Sequence, residues 1–324
     1  MNNKLVLGQI GVGYWGPNII RNLHSNKRCT IKTVVDLDEK KLAKTKLRYN
    51  YLNVSKNINK ILKDDEISAV MIVTPVKTHY DLAMRALEAG KHIFVEKPMA
   101  KSVAEVDNII HLAKKNGLIA MVGHTFLYNP AIRLIKKLIN SNEFGDLKYI
   151  ICERTNLGKA RTDVDALWNL APHDVSIVQY FLNDIEPKSI RKNGMNFLLK
   201  GIDDVSFMNI EYENGIHAFI HVSWLDPIKA RKIKIIGSKQ MIVFDDTKKE
   251  KIKIANKSIK VVKANSSNIS FDYIDEKFIS KPFVLKEPLS IQVDHFIDCI
   301  VNGESCLTDA EHAKKVIKIL SVKN

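Results

Sequence analysis

The sequence lacks the apolar run of roughly 18 residues that a membrane-spanning helix requires. Its short apolar opening, Leu5–Ile10, leads into glycines without the small-residue cleavage pattern of a signal peptide. Only four cysteines are present, and none stands at CxxC or metal-ligand spacing, which argues against a disulfide framework. Fourteen glycines and nine prolines among 324 residues are too few for a fibrous chain. We therefore expect a soluble, cytoplasmic protein without a metal site.

Charge of one sign is in excess, because 50 Lys and Arg face 36 Asp and Glu for a net charge of +14. The basic residues are scattered, with no block of five or more like charges, as on an ordinary solvated surface. The densest basic segment, 248–263, alternates apolar residues with lysines. That period predicts a half-buried hairpin turning at Asn256-Lys257, and the segment lacks the interleaved aromatics of a single-strand binder. We expect neither nucleic acid nor a membrane as a partner.

Residues 1–122 alternate continuous apolar runs with amphipathic segments. This alternation predicts an α/β domain with a doubly wound parallel sheet covered by helices on both faces. The predicted strands are Leu5–Ile10, Ile31–Val35, Ala69–Val73, His92–Val95 and Leu118–Val122. The predicted helices are Gly16–Ser25, Asp38–Leu47, Thr78–Ala89 and Val103–Lys115.

Residues 123–324 read differently, as an α+β domain with an open, largely antiparallel sheet. Several consecutive strand patterns occur there, and Asn214-Gly215 between two of them is a strong hairpin signal. The predicted strands are Leu147–Arg154, Ser206–Glu211, Ile216–Trp224, Lys232–Ile236 and Met241–Phe244, and the predicted helices are Asn129–Ile139, one near His173–Leu182, Leu289–Val301 and Asp309–Leu320. We assign this domain to substrate binding and oligomerisation. The helices within 289–320 are candidates for packing back on the first domain.

A glycine-rich loop follows the first predicted strand and opens the first predicted helix, which is the context of a dinucleotide-binding Rossmann domain. The loop reads Gly11-Val12-Gly13-Tyr14-Trp15-Gly16. The first glycine makes a tight turn, the second lets the backbone approach a pyrophosphate, and the third lets the helix pack closely on the sheet. Asp36 ends the second strand, where its carboxylate can bind both ribose hydroxyls and repel a 2′-phosphate. These residues predict NAD rather than NADP as the cofactor.

Further motifs resemble the Gfo/Idh/MocA family of sugar and inositol dehydrogenases over nearly the whole chain. They are Thr74-Pro75, Glu96-Lys97-Pro98, Ala171-Pro172-His173-Asp174, and Gln292–Phe296 with Leu307-Thr308-Asp309. Three other segments resemble the nucleotide-sugar 3-dehydrogenases within that family, typified by UDP-N-acetylglucosaminuronate dehydrogenases of surface-polysaccharide pathways. These are Gly13–Asn18, Gly123–Phe126 and Leu167–Leu170.

The resemblance implies an NAD-dependent enzyme in which Lys97 and His173 carry the proton chemistry of alcohol oxidation. Lys97 follows a sheet strand, at the edge where ligands bind in open α/β folds. His173 occupies a Pro-His-Asp turn at the expected start of a helix. The family often has an aspartate four residues before this histidine, and Asn169 stands there instead. An amide cannot abstract a proton, so either Lys97 or His173 remains possible as the base.

The resemblance also suggests weaker contacts, each of which could instead be structural. Cofactor contacts are expected from Tyr14, Trp15, Thr74, His79, Glu96 and Lys97. Substrate contacts are expected from Lys97, Tyr128, Asn129, Arg154, Asn169, His173 and Asp174. The expected reaction is oxidation of a secondary hydroxyl, at C3 of a nucleotide-linked amino or uronic sugar, by a homodimer or homotetramer. The alternatives are a free-sugar or inositol dehydrogenase, and a non-catalytic regulator that senses NAD or sugar.

Overall fold

The computed structural model describes residues 4–265 and 268–322, and the chain divides into two compact units. The first unit comprises the chain up to Tyr128 together with Lys286–Lys318, and the second comprises Asn129–Leu285 and the residues from Ile319 onward. The boundary expected from the sequence is residue 122 instead. The difference arises because residues 123–128 and 286–318 bury apolar side chains among those of the first unit.

Six parallel strands form the sheet of the first unit, in the order β3-β2-β1-β4-β5-β6. The strands are β1 Leu5–Ile10, β2 Cys29–Val35, β3 Asn53–Ser55, β4 Ala69–Ile72, β5 His92–Val95 and β6 Ala120–Val122. The helices are α1 Gly16–Ser25, α2 Glu39–Arg48, α3 Asn59–Leu62, α4 His79–Glu88 and α5 Val103–Lys115. This is the strand order of a Rossmann fold, so the predicted parallel sheet is confirmed. The sequence analysis missed β3 and α3, which are too short to show a period.

A nine-stranded sheet forms most of the second unit, with the path β14-β13-β12-β11-β7-β10-β9-β8 and β15 paired to β13. Strands β7 and β10 pair in parallel and the other pairs are antiparallel, which confirms the predicted open, largely antiparallel sheet. The elements are α6 Pro130–Ile139, β7 Leu147–Leu157, α7 Ala166–Phe181, β8 Pro187–Met195, β9 Val205–Tyr212, β10 His217–Ser223, β11 Leu225–Gly237, β12 Gln240–Asp245, β13 Ile252–Asn265, β14 Asn268–Asp275 and β15 Ile279–Ser280.

The basic segment that was expected to form a hairpin at Asn256-Lys257 is instead part of one strand. Strand β13 runs through both residues and pairs with β12 on one side and with β14 and β15 on the other. Its alternation of apolar residues and lysines was interpreted correctly as strand. The turn prediction was wrong because Asn256 and Lys257 lie within a strand that is paired on both sides, and polarity alone does not break a strand.

Helix α7 begins earlier than expected, so that Pro172, His173 and Asp174 lie inside it and not in a turn at its start. Asp165 caps the helix, because its Oδ1 accepts the Trp168 N–H at 2.7 Å. Pro172 removes one hydrogen bond within the helix, which is why the sequence suggested a boundary there. Burial of the apolar residues on both sides of the proline outweighs that loss.

The last two helices, α8 Pro288–Val301 and α9 Ala310–Leu320, follow the second sheet. Buried side chains of α8 belong to the same apolar core as those of β1, α1 and β2. The buried Gln292 of α8 donates to the Val122 carbonyl at 3.2 Å and accepts from the Thr125 hydroxyl at 2.8 Å. The Thr308 carbonyl, in the segment between the two helices, accepts the Val122 N–H at 2.8 Å. This part of the chain therefore completes the sheet edge at β6.

The two faces of the second sheet differ in what covers them. On β10, Ala218, Ile220 and Val222 are buried on the face that packs against α7. The opposite face exposes aromatic side chains: Phe207 is 46% exposed and Phe219 is 41% exposed, and the Phe207 ring stacks on His221 with centroids 4.2 Å apart. An apolar, aromatic-rich sheet face of this kind is unusual on an isolated soluble chain.

We expect Asp165→Ala to lower the free energy of unfolding by about 1 kcal/mol, because the first turn of α7 loses its cap. Urea denaturation followed by circular dichroism measures this change. Asp163→Ala is the matched control, since Asp163 pairs with Arg161 at an exposed position, where ion pairs contribute little. An equal loss in both variants would contradict the capping role.

Candidate cofactor and active site

Two glycines of the loop after β1 are required by the protein itself. Gly11 has φ of +98°, and a Cβ there would lie 2.3 Å from the Val73 carbonyl oxygen. A Cβ on Gly16 would lie 2.7 Å from the Gly11 carbonyl oxygen. Gly11 also donates its N–H to the Val35 carbonyl at 2.7 Å. These contacts fix the loop against the ends of β1, β2 and β4.

Gly13 differs, because a Cβ built there meets nothing within 4 Å and its φ is not in the left-handed region. The fold itself therefore does not require a glycine at this position. A ligand that approaches the backbone closely would explain why a glycine is present there. Helix α1 begins at Gly16 with no side-chain cap and no acid in its first turn. Both features fit the pyrophosphate of a dinucleotide.

Asp36 fixes the same loop while keeping capacity for a ligand. Its Oδ2 accepts the Val12 N–H at 2.6 Å, and its Oδ1 accepts the Asp38 N–H at 2.9 Å. Each carboxylate oxygen can accept more than one hydrogen bond, so the half-buried side chain can still receive ribose hydroxyls. The sequence analysis predicted the ribose contact and missed the bond to Val12.

Gln9 is a second residue that braces the loop, and the sequence analysis did not identify it. Its side chain is fully buried, and Nε2 donates to the carbonyls of Gly11 at 2.8 Å and Gly16 at 3.2 Å. The available signal was a polar side chain in the otherwise apolar strand β1, two residues before the first glycine. The loop carbonyls satisfy the Nε2 donor, whereas the buried Oε1 has no hydrogen-bond partner among the described residues.

Lys97 and Glu96 lie at the carboxyl end of β5, which is the ligand-binding edge of such a sheet. Glu96 Oε2 accepts the Lys97 N–H at 3.3 Å. Its Oε1 is buried and lies so close to Gly123 that a Cβ on that glycine would be 3.0 Å away. Burial raises the pKa of Glu96 to about 7, against the opposing effects of Lys97 and of Trp15. The Lys97 side chain is half-buried.

His79, which is predicted to contact the cofactor, lies against two backbone carbonyls. It is 1% exposed, and its ring nitrogens lie 2.8 Å from the Pro98 carbonyl oxygen and 2.7 Å from that of Thr74. Burial lowers its pKa. The imidazole therefore ties the loop after β4 to the loop after β5, and so positions Thr74 and Lys97. Thr74 itself is half-buried, with its hydroxyl 2.7 Å from that of Thr78.

Two predicted substrate contacts, Arg154 and Asp174, bind one another instead. Arg154 Nε and Nη2 donate to the two carboxylate oxygens of Asp174 at 2.7 and 2.8 Å. Their exposures are 5% and 1%, so this ion pair is inside the second unit. A buried carboxylate requires such a partner, because its desolvation is otherwise too costly. The pair joins β7 to α7, and the predicted sugar contacts of both side chains stay predictions.

Tyr128 and Asn129 also have structural roles. Tyr128 is fully buried, with its hydroxyl 3.0 Å from that of Thr308. Asn129 caps α6, since its Oδ1 accepts the Ala131 N–H at 2.9 Å. Both were predicted as substrate contacts because they follow the last strand of the first sheet, a position that a packing residue or a cap occupies equally well.

Asn169 and His173 remain as candidates in the second unit. They stand four residues apart on α7, which places them on one face of the helix, and both are half-buried. The Asn169 Oδ1 accepts the Trp224 indole N–H at 3.2 Å, so the amide is fixed in orientation. Their predicted substrate contacts stay predictions.

Comparison with known proteins assigns both parts of the chain. Residues 6–124 match the model of an oxidoreductase family with an NAD-binding Rossmann fold, and residues 132–243 match the model of the GFO/IDH/MocA C-terminal domain.

In the part of the chain that the structure describes, none of the helices has the length and apolar character needed to span a membrane.

Several relatives have named activities. The scyllo-inositol 2-dehydrogenase (NAD(+)) of Bacillus subtilis is 28% identical over 259 residues, covering 76% of this chain and 71% of its own length. The UDP-N-acetylglucosamine 3-dehydrogenase of Acidithiobacillus ferrooxidans is 31% identical over 172 residues, covering 52% of this chain and 53% of its own length. A solved structure of that enzyme, GnnA, superposes with a TM-score of 0.84 at 21% identity, covering 98% of this chain and 96% of the other. GenD2 from gentamicin A biosynthesis, solved with NAD, superposes with a TM-score of 0.82 at 19% identity, covering 98% and 92%.

The loop glycines give a matched pair of variants. We expect Gly11→Ala to unfold at clearly lower urea concentration, because the new Cβ overlaps the Val73 carbonyl and the φ is unfavourable. We expect Gly13→Ala to unfold like the unmodified protein while binding NAD at least about tenfold more weakly, a loss of about 1.4 kcal/mol. Denaturation and NAD titration on both variants measure this. Destabilisation by Gly13→Ala, or unchanged NAD affinity, would contradict the assignment.

Asp36 should set the choice of cofactor. We expect NAD to bind at least about tenfold more tightly than NADP, because one desolvated contact between like charges readily costs about 1.4 kcal/mol. Asp36→Asn should narrow the ratio, whereas Asp38→Asn should leave it unchanged, since Asp38 caps α2 two residues further on. Titration of both cofactors by tryptophan fluorescence gives the ratio. Equal affinities in the unmodified protein would refute the prediction.

Proposed function

Because the chain belongs to the Gfo/Idh/MocA family of NAD-binding oxidoreductases, we propose that it oxidises a secondary hydroxyl, at C3, of a nucleotide-linked amino or uronic sugar. The observation that carries the proposal is the link within the first unit between the glycine loop and Lys97. Gly11 of that loop packs on the Val73 carbonyl, and His79 holds the next residue, Thr74, to Pro98, which follows Lys97. Lys97 is thereby kept near the loop that we assign to the dinucleotide.

The chemistry divides between the cofactor and the protein. When bound, NAD supplies the hydride acceptor, carbon C4 of its nicotinamide. The chain must orient the carbinol carbon and take the hydroxyl proton, and Lys97 is the residue that we assign to the proton. Glu96, with its pKa raised to about 7 by burial, lies next along the chain and can exchange a proton near neutral pH. His79 holds the loops that carry Thr74 and Lys97, and so keeps the lysine in position.

The substrate class is supported by the named relatives and by charge. The UDP-N-acetylglucosamine 3-dehydrogenase resembles this chain in part of its sequence and in its whole fold. A net charge of +14 favours the approach of a nucleotide sugar, whose diphosphate is anionic. The inositol dehydrogenase match, which covers 76% of this chain, supports the alternative of an uncharged polyol.

A substrate panel separates these two candidates. The purified protein with NAD is tested on UDP-N-acetylglucosamine, its uronate, free N-acetylglucosamine and scyllo-inositol, and formation of reduced cofactor is followed by absorbance. Turnover of a nucleotide sugar with kcat/KM falling as salt is added supports the proposal. Turnover of the free sugar or of inositol alone would establish the alternative.

We expect Lys97→Ala to reduce kcat by a factor on the order of 10² to 10⁴, the usual effect of removing a general acid–base group. Its affinity for NAD and its melting temperature should be nearly unchanged, because the half-buried side chain is not part of the core. Lys101→Ala is the matched control, since Lys101 is an exposed lysine in the same loop. Near-normal turnover in Lys97→Ala would overturn the assignment.

His173 is tested on the same substrate. We expect His173→Asn to reduce kcat with the fold retained, because the side chain is half-buried on α7. If Lys97 and His173 act on one proton path, the double variant should lose less than the product of the two single losses. Measuring kcat for the three variants beside their melting temperatures decides this. Fully multiplicative losses would argue for independent roles.

We also propose that the chain forms a homodimer, or a tetramer built from two dimers, through the aromatic face of the second sheet. Light scattering should then give a mass above the 36.8 kDa of one chain. Phe219→Asp should shift the protein toward monomer, because the charge would be buried in the interface. Leu47→Asp, at an exposed apolar residue of the first unit, should not. A monomeric mass for the unmodified protein at micromolar concentration would contradict the proposal.

A further inference from the structure

Three side chains that are far from Lys97 in sequence converge at the end of α8. His295 and Cys299 lie one turn apart on the helix, and Cys306 lies in the segment that leads to α9. One nitrogen of His295 and the two sulfur atoms are all within 4.8 Å of one another. The sequence analysis found no pair among the four cysteines because seven positions separate these two. The turn after α8 brings them together.

Cys299 has the surroundings of an activated thiol. Its Sγ lies 3.5 Å from His295 Nε2, and His295 Nδ1 lies 3.7 Å from a carboxylate oxygen of Glu304. An imidazole beside a thiol can take its proton, and a carboxylate on the other side of the ring stabilises the charged imidazole. The thiol of Cys306 and the ring of His295 both lower the pKa of Cys299, although burial opposes them.

The two other cysteines lack these surroundings. Burial does not distinguish them, because Cys29, Cys152 and Cys299 are 4%, 0% and 3% exposed; the histidine and the second thiol beside Cys299 do. Burial raises the pKa of Cys29 to about 11 and raises that of Cys152 well above its usual range. Since the thiolate is the reactive form, a mild oxidant should select Cys299 over both.

The same cluster has the donor types of a zinc site. The His295 Nε2, the nitrogen nearest Cys299, accepts the Leu307 N–H at 3.0 Å. A neutral imidazole has one lone pair for accepting, so this backbone bond must open before Nε2 can bind a metal ion or take the thiol proton. Formation of a bond between the two neighbouring sulfur atoms needs no such opening, and their closeness therefore carries the proposal.

We propose that Cys299 and Cys306 form a redox-active pair that peroxides oxidise to an intramolecular disulfide. The Cys299 thiolate attacks hydrogen peroxide, which breaks the O–O bond, gives a sulfenic acid on Cys299 and releases hydroxide. The Cys306 thiol then attacks the sulfenic sulfur, which forms the S–S bond and releases water. In total the two thiols lose two electrons and two protons, and the peroxide becomes two waters. Dithiols reduce the bond again by exchange.

The pair lies in a segment that supports the first unit. Two residues after Cys306, the Thr308 carbonyl accepts the Val122 N–H, and the Thr308 hydroxyl contacts that of Tyr128. A disulfide would fix this segment to the end of α8 and so limit its opening. Oxidation should therefore raise the melting temperature and slow proteolysis at the exposed turn around Glu304.

The test uses the full-length protein, reduced with dithiothreitol, desalted and treated with one equivalent of hydrogen peroxide. Free thiols counted after denaturation should fall from four to two, and peptide mapping should find Cys299 linked to Cys306. Cys29→Ser, which leaves the pair intact, should behave in the same way. Cys306→Ser should stop at a sulfenic acid on Cys299 that dimedone traps. His295→Gln should slow the reaction at least about fivefold, because it removes the base.

Other outcomes would overturn the proposal. Retention of four thiols after peroxide, or a linkage that involves Cys29 or Cys152, would show that the pair has no special reactivity. Zinc that copurifies in equal amount, is lost in both Cys299→Ser and Cys306→Ser, and protects the thiols until a chelator is added would establish a metal site instead. The measurements on the unmodified protein do not depend on whether any variant folds.

Discussion

The cofactor site depends on how closely the backbone after β1 passes the end of β4. At Gly11 the chain comes so near the Val73 carbonyl that a methyl group does not fit, and only a glycine adopts the required φ without strain. Gln9 and Asp36 then hold the loop by its carbonyls and by the Val12 N–H. The first turn of α1 has no side-chain cap, and the space at Gly13 is open. A phosphate can accept hydrogen bonds from that turn and occupy that space.

Charge is handled in two different ways in the two units. In the second unit, Arg154 and Asp174 neutralise each other inside the protein and so are fixed in place. In the first unit, Glu96 is sheltered with one oxygen unbonded, and its pKa moves toward neutrality. A carboxyl group whose oxygens are all hydrogen-bonded, such as that of Asp174, has a structural role. The Glu96 carboxyl group has an oxygen without a bond and lies beside a lysine at the ligand-binding edge of the sheet, so it keeps the capacity to exchange protons.

The fold was predictable where a hydrophobic period extends over many residues or where the backbone geometry allows only glycine. The strands Leu5–Ile10 and His92–Val95 and the helices Gly16–Ser25 and Val103–Lys115 were predicted with the observed limits. The loop glycines could be assigned because their spacing after a strand is typical of a dinucleotide-binding turn. The start of α7 could not, since Pro172 suggests a helix boundary and only burial on both sides overrides it. The short β3 and α3 carry too few residues to show any period.

The site was less predictable, because sequence position says which edge a residue is near and not where its side chain points. Tyr128 and Asp174 were reasonable sugar ligands by position, yet one is in the core and the other bonds an arginine. The roles of Gln9 and His79 depend on backbone carbonyls that only the folded chain brings within reach. Cys299 and Cys306 are likewise adjacent only because of the turn that separates α8 from α9.

The discontinuity of the first unit has a consequence for its synthesis on the ribosome. The core around β1 and α1 includes side chains of α8, and the backbone of Val122 bonds to Thr308. When the first 128 residues have left the ribosome, these partners are not yet made, and Asn129–Leu285 of the second unit are translated before them. Until then the nascent sheet lacks the side chains of α8 and the backbone partner of Val122. During that interval the chain is exposed to misassembly and to binding by chaperones.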